Sequence, residues 1–259
     1  MTKEHLLRLV EKAKENKSGT SAGSTSTTYT ESLDDFDLGG FHCEQCNDKG
    51  YLLRKDENGI VWSRECPCMK RRRTERNIRK SGVSDMLNRY TFDSYITDTP
   101  LRKKIKDIAK KYADSDKGWM IVSGRSGSGK SHICVAVCGK LIEKGEEMRY
   151  LSWRDDSVHL KSILNTPEYK EEVDKLIKVP ILYIDDFFKG TVSDADINLA
   201  FQILNGRYND SKKRTIISTE LSMEQIFLRD EAVGGRIFER SRGFIVSAPD
   251  ENFRMRAYE

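Results

Sequence analysis

The stretch GRSGSGKS, residues 124–131, decides the fold: it fills every position of a phosphate-binding loop, after an apolar run at Trp119–Ser123 and before an apolar-periodic helix. Gly124, Gly127 and Gly129, with Ser128 among them, let the backbone turn tightly, so that successive N–H groups point at one anion. The following helix presents its positive end to the same anion. At this spacing Lys130 reaches the β- and γ-phosphates of a nucleoside triphosphate and the Ser131 hydroxyl ligates Mg²⁺, with His132 next on the first turn. A chance glycine-rich turn would lack the strand before and the helix after.

A second acidic position belongs with the first. Residues 181–184, ILYI, read as a buried parallel strand and end in Asp185-Asp186. Carboxylates at the carboxyl end of a strand beside a phosphate loop are placed to manage Mg²⁺ and water. We expect Asp185 to serve the metal, through water, and Asp186 to polarise the attacking water; the alternative is a pair of helix-capping aspartates.

Strand-like runs at 119–123, 149–153, 181–184, 215–218 and 244–247 alternate with helical patterns, which predicts a five-stranded parallel sheet covered on both faces. Thr99 as N-cap with Pro100 at the first helical position opens the helix leading into this domain. Ile197, Phe201, Leu204 and Tyr208 lie at helical spacing and read as core, and Ser222 with Gln225 forms a capping box.

The chain has 259 residues, enough for one larger and one smaller unit, with 37% hydrophobic residues and a net charge of +4. No apolar stretch approaches the roughly 20 residues that span a bilayer, and no secretory h-region is present at the start, so we expect a cytoplasmic protein without membrane contact. The small net charge says little about nucleic acid, but its distribution says more. Seven basic residues (Lys70, Arg71, Arg72, Arg73, Arg76, Arg79, Lys80) and one acid, Glu75, fall within residues 70–80. Such a block either contacts DNA phosphates or is a solvated face.

Of six cysteines, Cys134 and Cys138 lie one helical turn apart on a face shared with Ile142 and read as small buried hydrophobes. The other four form Cys43-x-x-Cys46 and Cys66-Pro-Cys68, separated by nineteen residues. Residues 51–53 and 60–63 are strand-like on either side of a turn ending in Asn58-Gly59, so a hairpin brings the pairs together. Four thiolates in a tetrahedron point to structural Zn²⁺; a reduced, metal-free cluster is the alternative. His42 is either a substitute ligand or a surface residue.

Four segments result. Residues 1–16 read as a short helix with Leu6, Leu7, Leu9, Val10 and Ala13 on one side; 17–39 as a flexible, Ser/Thr/Gly-rich linker; 40–90 as the cysteine module and basic linker; and 91–259 as the nucleotide-binding domain.

From residue 41 onward the chain resembles the AAA+ helicase loaders of the DnaC and DnaI type, with IstB-like proteins as relatives. The resemblance rests on CEQCNDKGY and CPCMKRR, RYTFDSY at 89–95, GRSGSGKSH, ILYIDD, RYNDSKKRTIISTELS and GGRIFER. The cysteine module resembles the DnaI branch, and a chain this compact resembles phage or mobile-element loaders. The resemblance implies an AAA+ P-loop NTPase that forms a homo-oligomer with ATP at subunit junctions and delivers a ring-shaped, hexameric replicative helicase onto single-stranded DNA. It implies that the segment ahead of the ATPase binds the helicase. Lys130, Ser131 and Asp185 match the phosphate and Mg²⁺ positions, and Arg236 the arginine finger, with Arg240 as its rival. Asp186 stands where many such ATPases carry Glu, and Glu220 where these loaders carry Asn, leaving Thr219 as the expected γ-phosphate contact. Arg254 matches a cis-acting sensor arginine. Two other readings stand beside the loader: a target-selecting ATPase that serves a transposase, and a nucleotide switch for which hydrolysis is incidental.

Overall fold

The computed structural model describes residues 43–55, 60–69, 72, 82–116, 118–250, 252, 253 and 255. The expected helix of residues 1–16, the linker of 17–39, His42, Arg254 and every basic residue of 70–80 except Arg72 lie outside them. The chain divides into two compact units, between Glu75 and Arg76.

In the first unit β1 (Tyr51–Lys55) pairs antiparallel with β2 (Val61–Glu65), Tyr51 opposite Glu65 and Lys55 opposite Val61. The hairpin carries a small core of Cys43, Cys46, Cys66 and Cys68, against which Leu52 and Met69 pack. Arg72 is buried here and ion-paired with Asp48, whose Oδ1 also accepts the Cys43 N–H at 2.9 Å. One of the seven basic residues therefore closes the cysteine loop instead of facing outward.

The second unit opens with α1 (Ser84–Leu87) and α2 (Pro100–Asp114), the latter capped by Thr99, whose Oγ1 accepts the Arg102 N–H at 3.3 Å. Next come β3 (Trp119–Ser123), α3 (Lys130–Glu143), β4 (Met148–Ser152), α4 (Trp153–Ser162), α5 (Pro167–Lys178), β5 (Ile181–Phe187), α6 (Asp194–Tyr208), β6 (Arg214–Thr219), α7 (Met223–Arg229), α8 (Glu231–Arg240) and β7 (Ile245–Ser247). The five strands β3 to β7 form one parallel sheet in the order β4-β5-β6-β3-β7. Both faces are covered. Met120, Val122, Ile181, Tyr183 and Ile216 point into one core with Ile133, Cys134 and Cys138, while Trp119, Ile121, Leu182, Ile184 and Ile217 point into the other with residues of α4 to α8. Alternate side chains thus enter opposite cores, which is why these strands read as unbroken apolar runs.

Residues 82–95 pack on this unit too, with Val83 and Tyr95 in the first core. The α6 stripe departs from expectation at one position. Its buried side runs through Leu199, Ala200, Ile203, Leu204 and Arg207, leaving Phe201 one step off it and 37% exposed.

In this order β3 leaves the sheet between β6 and β7, so its loop emerges at a topological switch point, where ligands bind at the carboxyl ends of parallel strands.

Candidate nucleotide site

The loop after β3 has left-handed backbone at Gly124 (φ 145°), Gly127 (φ 78°) and Gly129 (φ 92°), the last being the N-cap of α3. A side chain at Gly127 would be doubly excluded: a Cβ there would overlap the Asn252 amide, since residues 252–253 lie across the loop and the Phe253 N–H donates to the Gly127 carbonyl at 3.0 Å. The Arg102 guanidinium stacks 3.3 Å from the Phe253 ring centroid. Arg125 pairs with Asp250 at 3.2 Å on the exposed rim.

A cleft of about 190 Å³ is lined by Gly127, Gly129, Lys130, Ser131 and His132, by Asp186 and Lys189, and by Tyr90 and Phe253. Lys130 is 5% exposed and its Nζ donates to the Arg125 carbonyl at 2.8 Å. Burial lowers its pKa from the ordinary lysine value, opposed by Glu220 and both aspartates. Ser128, beside it, is buried with an unpartnered hydroxyl.

Asp185 is the hub. Its Oδ1 accepts from Ser131 at 3.1 Å, Tyr183 at 2.7 Å, the Asp186 N–H at 3.2 Å and the Ser218 hydroxyl, and its Oδ2 accepts from Tyr150 at 3.2 Å. Burial, followed by the charge of neighbours that include Asp185, pushes both phenols well above the ordinary tyrosine value, so they stay protonated donors. A carboxylate so supplied with donors is held in one orientation.

The β5–β6 register shifts between Ile184 and Phe187. Within that irregularity Asp186 adopts φ 52° and Phe188 φ 57°, and Phe187 and Phe188, which alternation would send to opposite faces, stack 3.9 Å apart in one core beside Trp153. Burying both rings on one side breaks the strand and re-aims the residue after them. Lys189 accordingly turns back over the cleft, its Nζ 3.0 Å from Asp186 Oδ2 and 3.1 Å from Glu220 Oε1. Burial would lower its pKa, but hydrogen bonds to these two carboxylates outweigh that and raise it.

Thr219 is bonded to the backbone around it. It is fully buried, its hydroxyl donates to the Phe187 carbonyl at 2.8 Å and accepts the Leu221 N–H at 3.1 Å, and it does not line the cleft. The neighbouring Glu220 faces Lys189 instead. His132 does line the cleft; its Nε2 lies 3.1 Å from both the Thr91 carbonyl and Ser94 Oγ, tying α3 to the RYTFDSY segment. Burial lowers its pKa, so the ring is neutral at pH 7.

Arg236 lies away from the cleft, half-exposed on α8. Its Nε donates to Asn205 at 3.1 Å, Nη1 donates to the Ala232 carbonyl at 2.8 Å, and its guanidinium sits 4.7 Å from Phe201 and 5.5 Å from Tyr208. Arg240 instead donates to the Asp210 and Lys213 carbonyls at 3.1 and 3.4 Å and is committed to its own chain's turn.

In the first unit the four thiol sulfurs lie within 4.8 Å of one another, with Cys43–Cys66 at 3.8 Å and Cys46–Cys68 at 3.6 Å. A tetrahedron with metal–sulfur bonds of about 2.3 Å has edges of about 3.8 Å. These separations fit it and exceed a disulfide, and all four cysteines are free. The Cys46 backbone amide chiefly lowers Cys43 to about 7, while burial and the adjoining thiols push Cys68 up to about 12.

Lys189, Tyr150, Tyr183, Ser218 and Phe253 are not singled out by the sequence reading. Only Lys189 carries a signal, a lone cation closing the DDFFK exit of a buried strand.

Among known proteins, the chain is 29% identical over 201 residues to YqaM of Bacillus subtilis, described as uncharacterised, covering 72% of this chain and 63% of that one. It is 26% identical over 200 residues to the replicative helicase loader DnaC of Escherichia coli K12, covering 74% and 79%. The crystal structure of the DnaC helicase loader superposes with a TM-score of 0.54 at 20% identity, over 63% of this chain and 99% of that one, a likeness of AAA+ fold. Among the described residues no helix is long and apolar enough to cross a membrane. The model of the family described as IstB-like ATP binding protein matches residues 45–257, and the chain belongs to that family.

Proposed function

We propose that this chain is an ATP-driven loader that delivers a hexameric replicative helicase onto single-stranded DNA in the cytoplasm, assembling as a homo-oligomer with nucleotide at its subunit junctions. The observation that carries it is the convergence of Lys130, Ser131, Asp185 and Asp186 at the carboxyl ends of the parallel strands β3 and β5, in a chain related to a helicase loader. The loop amides of 124–131 and Lys130 hold the β- and γ-phosphates. Ser131 and Asp185 hold Mg²⁺, which when bound neutralises charge developing on the phosphates. Asp186 orients the attacking water; one methylene shorter than glutamate, it gives slow turnover. Arg236 reaches a neighbouring copy's γ-phosphate, with Arg240, four residues on, as its rival.

The test is direct. This protein, the replicative helicase of the same cell and circular single-stranded DNA are incubated with ATP, and helicase retained on the circle is measured. ATP-dependent retention is expected. Binding to an IS21-type transposase without any complex with helicase would establish the transposition reading instead.

The cysteine unit is proposed to hold structural Zn²⁺ and, with residues up to 90, to bind the helicase. Protein purified without chelator is expected to contain about one equivalent of zinc, and Cys66→Ser is expected to lose it and unfold this unit while ATP affinity stays unchanged. Absence of metal from a freshly reduced preparation would overturn the assignment.

A further inference from the structure

Glu220 poses an electrostatic problem that rests on the nucleotide reading above. A carboxylate beside a site for the terminal phosphate repels it, where the asparagine implied by the resemblance would donate to it. The structure places a cation between: Lys189, 26% exposed, bridges Asp186 and Glu220 at 3.0 and 3.1 Å and lines the same cleft as Lys130 and Ser131.

We propose that Lys189 is the γ-phosphate contact of this site, with Glu220 as the residue that positions it. The Lys189 ammonium serves two carboxylates, and a terminal phosphate arriving against Lys130 competes with Asp186 for it. Transfer of that hydrogen bond from Asp186 Oδ2 to a γ-phosphate oxygen frees the aspartate to accept from water, while Glu220 keeps the ammonium in place. No covalent bond changes and no proton moves. The same contact that reads the third phosphate therefore releases the water-orienting carboxylate, so a diphosphate leaves Asp186 engaged.

The backbone is built for this placement. Left-handed turns at Asp186 and Phe188 are costly for non-glycine residues, and they are held by the buried Phe187–Phe188 stack and by the Lys189 N–H donating to the Asp186 carbonyl at 3.0 Å. The strain directs Lys189 back over the cleft instead of into solvent.

The test is ATP and ADP affinity by equilibrium titration in the wild type, Lys189→Met, Lys189→Arg and the double variant Lys189→Met/Glu220→Asn. One charge-assisted hydrogen bond to the γ-phosphate corresponds to about a ten- to hundredfold change in affinity. Lys189→Met is expected to lose about that factor for ATP and to keep its ADP affinity within about twofold, the ADP value doubling as evidence of folding. Lys189→Arg is expected to retain most ATP affinity. The double variant, with a neutral amide able to donate, is expected to regain ATP preference. Equal loss for ATP and ADP, or no loss for either in a wild type whose ATP binding depends on Lys130, overturns the role of Lys189 alone. A wild type that binds neither nucleotide overturns the nucleotide reading and this inference with it.

Discussion

Lys130→Ala is expected to lose measurable ATP binding. The side chain is the buried cation of the loop, and the two phosphate contacts proposed for it are each worth about 1.5–3 kcal/mol as charge-assisted hydrogen bonds, so the dissociation constant rises by about a hundred- to ten-thousandfold. Equilibrium titration checks it, and equal affinity in the two proteins removes the phosphate-loop assignment. The same variant tests the junction. Arg236→Ala should bind ATP normally and hydrolyse it slowly even when assembled, because the finger stabilises transition-state charge on a neighbour's nucleotide. Mixing the two inactive proteins should restore part of the activity, since one supplies Arg236 and the other an intact loop. Mixed oligomers that form and stay inactive assign Arg236 a role within its own subunit.

Arg207→Leu is expected to be the most destabilising single change in the second unit. Its guanidinium is fully buried with no carboxylate partner among the described residues; it donates to the carbonyls of Leu176 (2.8 Å), Ile177 (3.1 Å), Val179 (2.7 Å), Pro180 (3.2 Å) and Arg214 (2.7 Å) and to Thr215 Oγ1 (3.0 Å). Leu176 and Ile177 belong to the last turn of α5, whose final carbonyls have no partner within the helix and carry the negative end of its dipole. One side chain of α6 therefore caps α5 and pins it to the start of β6. Burial lowers this guanidinium to about 9, so it stays cationic at neutral pH. Replacing it strands several buried carbonyls at about 1–3 kcal/mol each. We expect a loss of about 4 kcal/mol and a fall in Tm on the order of 10 °C, read by thermal and urea unfolding. Lys, with three donors on a compact ammonium, should recover only part. A variant as stable as wild type would show that water or a neighbouring side chain satisfies those carbonyls.

By itself the sequence determined whatever is governed over a few residues. The phosphate loop needs left-handed backbone at Gly124, Gly127 and Gly129, and glycine announces it. Strands covered on both faces announce themselves as apolar runs, and each of the five sheet strands begins within about one residue of its apolar run. Thr99 and the Ser222–Gln225 box mark helix starts because a cap is a local hydrogen bond. The cysteine pairs conveyed a four-thiol cluster because a hairpin between them, marked by its turn residues, brings the two pairs together.

Tertiary structure alone decided which side chains meet. Strand order brings Tyr150 of β4 and Ser218 of β6 onto Asp185 of β5, across separations of 35 and 33 residues that no spacing rule spans. The register shift in β5, with two phenylalanines buried on one side, turned Lys189 into the cleft, and the β5 carbonyl of Phe187 took the Thr219 hydroxyl and left Glu220 facing Lys189. Phe201 reads as core because its spacing is helical, but spacing fixes only the angles between side chains, and the neighbouring stripe is the one buried. Local propensity sets backbone conformation over a few residues; the rotation of an element about its own axis, and hence which face carries chemistry, is set by the packing of everything around it.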